Sequence, residues 1–259
     1  MPSIRNSLVF ITGASAGIGR ACAHAFAAEG CRLILTARRT ELLETLAGEL
    51  RATHGVEVRT IELDVRDRAR VFDAVASLPE PWRAIDILVN NAGLGRGLDK
   101  LHVGDPDDWD EMIDTNVKGL LYVTRAIVPG MVERRAGHVI NIGSIAGHEA
   151  YPNGNVYNAT KFAVDGITKA LRMDLVDLPL RVSTVDPGMV ETDFSVVRFH
   201  GDAERAAKVY ADIDACRPDD VAEAVVFIAT RPPHVSINQI VIMPTAQAST
   251  TLVHRGPWL

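Results

Sequence analysis

A tyrosine and a lysine four positions apart could carry acid–base chemistry in the second half of the chain. At this spacing Tyr157 and Lys161 would lie on one face of a helix. A phenol has an unperturbed pKa of about 10, so it needs a nearby positive charge to act as a base near neutral pH. We expect Lys161 to supply that charge, so that Tyr157 can protonate a carbonyl oxygen or deprotonate an alcohol. An ordinary pair of surface side chains is the alternative.

Ser144 could orient a substrate oxygen for that tyrosine. It follows an apolar run at 138–142 that has the composition of a buried strand. Ligands of open α/β sheets bind at the carboxyl ends of the strands, which is where this position would place the hydroxyl. The alternative is that Ser144 is an ordinary loop residue.

A glycine-rich segment near the start of the chain could hold phosphate groups. It reads TGASAGIG at 12–19 and stands where an apolar run gives way to a helical pattern. Glycines let the backbone turn and approach a pyrophosphate, and the helix N-terminus adds a partial positive charge. A tight turn without a ligand is the alternative. The predicted phosphate contacts are Gly13, Ser15, Gly17, Ile18 and Gly19.

Two arginines after the second apolar run bear on the choice of dinucleotide. Ala37 stands where an acidic residue would accept hydrogen bonds from the ribose of NAD, and the next acid is Glu41. Arg38 and Arg39 instead offer guanidinium groups, which pair with phosphate through charge-assisted hydrogen bonds. The sequence therefore predicts NADP as the cofactor, unless the two arginines merely lie in a solvated loop.

Short apolar runs alternate with helical patterns along the whole chain. The runs predict seven strands, at 8–12, 32–36, 56–61, 85–90, 138–142, 181–185 and 239–243. The helical patterns cover 17–29, 41–53, 105 to beyond 116, 155–176 and 218–230. This alternation predicts an α/β fold. We expect one doubly wound Rossmann-type domain over residues 1–259, with a parallel seven-stranded sheet and helices on both faces.

The acidic composition argues against several classes of function. The chain has 27 Lys and Arg against 33 Asp and Glu, which gives a net charge of −6. A nucleic-acid surface needs a basic face, so we expect no nucleic-acid partner. The longest early apolar run, at 8–11, is too short to span a bilayer, and we expect neither a signal peptide nor a membrane partner. The cysteines Cys22, Cys31 and Cys216 lack CxxC spacing and the histidines are scattered. We therefore expect unpaired thiols, a cytoplasmic location and no metal site.

Several motifs occur in one order along the chain. They are TGxxxGIG at 12–19, Asp64-Val65, NNAG at 90–93, Asn116, Ser144, YxxxK at 157–161 and Pro187-Gly188. In this order and spacing, from residue 8 to about 243, the chain resembles the short-chain dehydrogenase/reductase family. The resemblance implies an oxidoreductase that transfers a hydride between NADP(H) and an alcohol or carbonyl group.

The resemblance also implies roles for particular residues. It implies a catalytic set of Asn116, Ser144, Tyr157 and Lys161, in which Asn116 anchors a water that links Lys161 to solvent. Lys161 would also hold the nicotinamide ribose, and the positive nicotinamide ring would further favour the phenolate. Asp64 resembles the residue that meets the adenine amino group. Further implied cofactor contacts are Val65, Asn91, Ala92, Gly93, Tyr157, Lys161, Pro187, Gly188, Val190 and Thr192.

Five segments resemble the NADP-dependent 3-hydroxy acid dehydrogenases, a branch that acts on serine, allo-threonine and related acids and semialdehydes. They lie at 141–144, 154–157, 186–201, 240–247 and 252–255. The substrate lid, after the sixth strand, would cover about 187–215. The carboxylate of such a substrate needs a cation in a site that excludes water. Arg198 is the first candidate and Arg96 the second, beside Ser144 and Tyr157 at the reacting oxygen. A solvated lid charge is the alternative for Arg198.

The resemblance implies a homotetramer, built partly on the helices that begin near Asp105 and Asn155. Two other functions stay open at this point. One is a reductase of another aldehyde or ketone, and the other is a sensor that binds NADP without catalysis.

Overall fold

Seven parallel strands form the central sheet of the computed structural model, which describes residues 3–257. Residues 1, 2, 258 and 259 of the predicted domain lie outside the described residues. The strand order is β3-β2-β1-β4-β5-β6-β7, and the predicted fold class is confirmed. The strands are β1 (Leu8–Thr12), β2 (Arg32–Ala37), β3 (Val58–Glu62), β4 (Ile87–Asn90), β5 (Gly137–Ile142), β6 (Leu180–Pro187) and β7 (Gln239–Ile242).

Helices cover both faces of the sheet. They are α1 (Gly17–Ala28), α2 (Thr40–His54), α3 (Arg68–Ala76), α4 (Pro106–Ile113), α5 (Leu120–Arg134), α6 (Asn155–Asp174), α7 (Phe194–Arg198), α8 (Ala203–Val209) and α9 (Pro218–Ala229). Buried side chains of α1, α2 and α9 pack on one face, and those of α3, α5 and α6 pack on the other.

The first strand shows why the sheet is buried on both faces. Leu8 and Phe10 pack with the cluster on one face, while Val9 and Ile11 pack with the cluster on the other. All four are fully buried, because successive strand side chains point to opposite sides of the sheet.

The order in which strands are added to the sheet reverses after β3. The chain passes from β1 outward to β3 and then returns to pair β4 with the other side of β1. The loops after β1 and β4 therefore part at the carboxyl edge and leave a crevice, which is where ligands of such sheets bind.

Three helices were not predicted, and one predicted helix is interrupted. The sequence analysis missed α3, α7 and α8, although Asp67 is a recognisable N-cap whose side chain accepts a hydrogen bond from Arg70 N. The helix predicted from 105 to beyond 116 begins as expected, with Asp105 as N-cap and Pro106 in the first turn. It continues as a π-helical turn at Asp114–Gly119 before α5 begins.

Candidate active site

The loop after β1 has the shape of a phosphate cradle. Gly13 and Gly17 have φ angles of +65° and +52°, in the left-handed region that favours glycine. A Cβ on Gly19 would lie 2.5 Å from Asn91 Nδ2, so a larger residue cannot fit without displacing the loop. Asn91 Nδ2 also donates to the carbonyls of Thr12 (2.9 Å) and Gly13 (3.2 Å). The loop is thus held open, and its backbone can approach a phosphate.

Thr12 joins the ends of β1 and β4, although the sequence analysis gave it no role beyond its place in the motif. Its hydroxyl accepts hydrogen bonds from Asn91 N (3.0 Å) and Ala92 N (2.9 Å). The two predicted cofactor loops are therefore tied together at the sheet edge. Ile18 packs partly buried against the core behind the loop.

The two arginines after β2 face different neighbours. Arg39 donates to the hydroxyl of Ser15 from Nε (3.3 Å) and Nη2 (3.1 Å), so it lies over the phosphate loop. Arg38 is 54% exposed, and its Nη1 lies 3.8 Å from Glu111 Oε1. Ala37, the last residue of β2, is buried and leaves no acid at this position. The two guanidiniums fit a phosphate on a bound ribose.

Asp64 and Val65 lie just beyond the end of β3. The carboxylate of Asp64 is paired with Arg66, whose Nη2 lies 2.6 Å from Oδ2. Burial works against ionisation of Asp64, but the hydrogen bonds and charge of Arg66 outweigh it and lower the pKa of this carboxyl. Val65 is buried, and a Cβ on Gly119 would lie 2.6 Å from its Cγ2.

Tyr157 and Lys161 both lie in α6 and are both buried. Lys161 Nζ donates to the carbonyl of Ile142 (3.0 Å) and lies 5.9 Å from the centroid of the Tyr157 ring. Ser144 follows β5 directly, and its hydroxyl accepts from Ala146 N (3.1 Å) and lies 3.3 Å from the Pro187 carbonyl. The tyrosine, the lysine and the serine therefore meet at the carboxyl edge of the sheet.

The buried setting of Tyr157 acts against its phenolate, and the help expected from Lys161 and the nicotinamide ring stays a prediction. Burial raises the pKa of Tyr157, and the charge of Arg198 and a hydrogen bond with Ser144 only partly oppose it. Burial also lowers the pKa of Lys161 to about 8, against the opposing charge of Asp186. Desolvation disfavours the charged form of each group and is the largest cause of both shifts.

Asn116 lies in the π-helical turn between α4 and α5. Its Oδ1 accepts from Leu94 N (2.8 Å), and its Nδ2 donates to Leu94 O (2.8 Å) and Thr160 Oγ1 (3.0 Å). A Cβ on Gly93 would lie 3.3 Å from Asn116 Oδ1 and 3.8 Å from Lys161 Nζ. The turn thus points the amide at the loop after β4, close to the lysine. Such turns are frequent at functional sites.

The segment between β6 and α9 lies over this edge of the sheet. Gly188 N donates to Ile242 O (2.8 Å), and Val190 forms a parallel bridge with Cys216 at the base of the segment. Thr192 lies against the phosphate loop, since a Cβ on Gly17 would be 3.4 Å from its Cγ2. The helices α7 and α8 follow, within the predicted lid.

Arg198 stands over the ring of Tyr157. Its Cζ lies 4.8 Å from the Tyr157 centroid and 4.9 Å from that of Phe194, and Nη2 donates to Tyr151 Oη (2.9 Å). Arg198 Nε is buried and has no hydrogen-bond partner within residues 3–257. The second candidate cation, Arg96, is paired with Glu111 instead.

Tyr151 and Phe194 were not recognised as site residues from the sequence. Tyr151 comes from the loop before α6, and no fixed spacing connects it with Arg198; Phe194 begins α7, four residues before Arg198, but this short helix was not predicted. His200, beside Arg198 in the chain, points elsewhere, because its Nε2 lies 3.2 Å from Asp108 Oδ2.

Within residues 3–257, no helix is long and apolar enough to cross a bilayer. In the same residues, no three or more His, Cys, Asp or Glu side chains are grouped so that they could hold a metal ion.

Comparison with known proteins gives consistent matches over most of the chain. A family model described as short chain dehydrogenase matches residues 7–202. The NADP-dependent 3-hydroxy acid dehydrogenase of Salmonella typhimurium is 50% identical over 251 residues, which cover 96% of this chain and all of the relative. The protein of that name from Escherichia coli K12 is 48% identical over 250 residues, covering 96% and 99% of the two chains.

A solved structure resembles the whole fold. It is the closed form of serine dehydrogenase complexed with NADP⁺, at a TM-score of 0.90 and 48% identity. The match covers 96% of this chain and 99% of the other.

Proposed function

Since the chain belongs to the short-chain dehydrogenase family, and is therefore an oxidoreductase, we propose that it oxidises small 3-hydroxy acids with NADP⁺ and reduces the corresponding semialdehydes. NADP(H) would supply or accept the hydride when bound. The observation that carries the proposal is the guanidinium of Arg198 over the ring of Tyr157, 4.8 Å from its centroid. It sets a fixed positive charge beside the tyrosine that we assign to proton transfer.

We assign proton transfer to the hydroxyl of Tyr157. In reduction its O–H would donate to the carbonyl oxygen, and in oxidation its phenolate would remove the alcohol proton. Ser144 stands beside it and would hold the same oxygen, because its hydroxyl can donate a hydrogen bond. Burial keeps the phenol protonated near neutral pH, which suits the reductive direction without further adjustment.

Lys161 and Asn116 would support the tyrosine. The ammonium of Lys161 is buried and directed at the Ile142 carbonyl, so it lies on the inner side of α6 at the sheet edge. There it would hold the ribose of the nucleotide. Asn116 and Lys161 both face Gly93, since a Cβ built on it would lie 3.3 Å from Asn116 Oδ1 and 3.8 Å from Lys161 Nζ, a place that suits the water relay implied by the family.

The cofactor would follow the carboxyl edge across the crevice. The glycine loop with Ser15 would take the pyrophosphate, because its backbone is open to a ligand. Arg38 and Arg39 would take the 2′-phosphate, and Asp64 would meet the adenine. The remaining contacts would come from Asn91 to Gly93 and from the start of the lid, with Pro187, Gly188, Val190 and Thr192.

A substrate carboxylate explains the position of Arg198. An unpaired carboxylate in a site closed to water is costly, and a guanidinium meets it with charge-assisted hydrogen bonds. Arg198 Nε is buried and unpartnered within the described residues, so it has a hydrogen-bond donor to offer. The other candidate, Arg96, already gives its Nε to Glu111 at 2.6 Å.

We expect wild-type enzyme to turn over serine and 3-hydroxybutyrate with NADP⁺, and Arg198→Met to raise KM for these acids about ten- to a hundredfold. The loss of one charge-assisted contact gives that range. KM for a neutral alcohol or aldehyde of similar size should change little. The measurement is the absorbance of NADPH across a panel of acids and neutral compounds.

Arg205→Met is the matched control, because Arg205 also lies in the lid but stacks on Phe199, with its Cζ 4.2 Å from that ring. It should leave both substrate classes unchanged. Equal losses for acids and neutral compounds in Arg198→Met would limit Arg198 to shaping the lid. Turnover of neutral carbonyls by wild-type enzyme without any turnover of hydroxy acids would establish the alternative, a reductase of another aldehyde or ketone.

We also propose a homotetramer. β7 is an edge strand of the sheet, and its Val241 is exposed, as is Phe227 on α9. An edge strand presents unpaired backbone groups, to which a second copy of the chain can pair. Other exposed apolar side chains lie on α4, α5 and α6, namely Ile113, Leu121, Phe162 and Met173. Light scattering should give the mass of four chains, whereas a monomer or a dimer would overturn the proposal.

A further inference from the structure

Glu111, in α4, lies between the arginine of the predicted phosphate pocket and the lid. Its Oε1 lies 3.3 Å from Arg66 Nη1 and 3.8 Å from Arg38 Nη1. Its Oε2 accepts a 2.6 Å hydrogen bond from Arg96 Nε. One carboxylate oxygen therefore faces the cofactor side, while the other faces the lid.

Arg96 continues the connection into the lid. Its Nη1 donates to the carbonyl of Val197 in α7. The next residue is tied to the same loop, because Gly97 N donates to Arg198 O (3.0 Å). Arg198 is the residue whose guanidinium lies over Tyr157. A change at Arg96 would therefore act on the part of the lid that faces the tyrosine.

The ion pairs of Glu111 with Arg38 and with Arg96 differ in strength. Arg38 is 54% exposed and contacts it at 3.8 Å, which makes a weak, solvent-screened pair. Arg96 and Glu111 are 17% and 21% exposed and meet at 2.6 Å. The hydrogen bond from Arg96 is the largest influence that lowers the pKa of Glu111. Of these two arginines, Arg38 is thus the one that can more easily leave Glu111 for another anion.

The charges of the cluster favour the arrival of an anion. Three guanidiniums, of Arg38, Arg66 and Arg96, face two carboxylates, of Asp64 and Glu111, so one positive charge is left over. A phosphate monoester carries nearly two negative charges near neutral pH and would draw Arg38 away from Glu111. The departure of Arg38 would also remove its repulsion of Arg96, so the pair of Arg96 and Glu111 would be held more strongly.

We propose that Glu111 is a positioning residue that couples a phosphate bound at Arg38 to closure of the lid, through Arg96 and the Val197 carbonyl. The inference rests on the proposed function, because it takes that phosphate to be the 2′-phosphate of NADP. The 2′-phosphate takes no part in hydride or proton transfer, and on this proposal its binding would help to order the lid. By linkage, an ordered lid also favours binding of the phosphate.

The test uses two nucleotides that have no nicotinamide, so their effect on the lid does not pass through a nicotinamide beside Tyr157. 2′,5′-ADP carries the 2′-phosphate and 5′-AMP lacks it. Hydrogen exchange of lid amides is the readout, since Val197 N, Phe199 N and Gly201 N are hydrogen-bonded within the lid (2.9, 3.1 and 2.8 Å) and exchange when it opens. At saturation, 2′,5′-ADP should slow their exchange about two- to fivefold more than 5′-AMP, the range for a partly exposed ion pair.

Glu111→Gln should abolish that difference, and Asp110→Asn, which removes a carboxylate from the exposed face of the same helix, should keep it. Arg96→Met should also abolish it while the affinity for 2′,5′-ADP stays within about twofold, the scale of a solvent-screened pair. This second variant tests the proposal if Glu111→Gln does not fold.

Three results would overturn the coupling. The first two are a difference in lid exchange between 2′,5′-ADP and 5′-AMP that is as large in Glu111→Gln, or in Arg96→Met, as in wild type. The third is no such difference in a wild-type enzyme that binds 2′,5′-ADP more tightly than 5′-AMP. Equal binding of 2′,5′-ADP and 5′-AMP to wild-type enzyme would instead remove the 2′-phosphate assignment, and the coupling with it.

Discussion

Tyr157→Phe should reduce kcat about 10²- to 10⁴-fold, because it removes the hydroxyl that we assign to proton transfer and leaves the ring in place. Affinity for the cofactor should stay nearly unchanged. The ring packs edge-on against Phe194 at 5.5 Å and under Arg198, and phenylalanine preserves both contacts. Steady-state kinetics with NADPH absorbance give kcat, and a fluorescence titration with NADPH gives the affinity.

Tyr122→Phe is the matched control, since Tyr122 lies partly buried in α5, in the core on one face of the sheet. It loses the same atom and should keep wild-type turnover. If Tyr157→Phe also kept near-normal turnover, Tyr157 would have no part in the mechanism. Lys161→Ala differs from both, because we expect it to reduce turnover and cofactor affinity together.

The pH dependence of oxidation provides a second readout of the same residue. The phenolate is the base in that direction, so the rate should rise with pH as Tyr157 loses its proton. Burial raises the pKa of Tyr157, and the rising limb should therefore extend into the alkaline range. The charge of Arg198 lowers this pKa, so Arg198→Met should move the limb to higher pH and Arg205→Met should not. A flat profile in wild-type enzyme would contradict a titrating tyrosine.

Much of this architecture can be predicted from the sequence because it depends on local pattern. The runs that are apolar on both faces have the composition of strands covered by two helical layers, and β1 begins and ends as predicted. The predicted strands at 56–61 and 85–90 begin two residues later, at Val58 and Ile87. Tyr157 and Lys161 share α6 because a spacing of four is close to one helical turn.

The arrangement around Arg198 depends instead on contacts between distant segments. Tyr151 precedes α6 and Tyr157 lies within it, and only the folded lid brings Arg198 to these two rings. The same holds for Glu111, whose partners Arg38 and Arg96 come from the loops after two different strands. The burial of Tyr157, which raises its pKa, is likewise hidden in the sequence, because spacing gives the distance to Lys161 but not the depth of burial.

Replacing either arginine after β2 by methionine should weaken NADP binding about ten- to a hundredfold and leave NAD binding nearly unchanged. Each variant would remove one of the two charge-assisted contacts that we propose for the 2′-phosphate. Arg39 would offer its contact from above the glycine loop, where it contacts Ser15, and Arg38 from beside Glu111. Isothermal titration of wild type, Arg38→Met and Arg39→Met with both dinucleotides measures the effect. Arg59→Met, which removes an exposed arginine from β3, is the control and should bind both as wild type does. Wild-type enzyme that bound NAD as tightly as NADP, or variants that lost both equally, would show that these arginines do not select the cofactor.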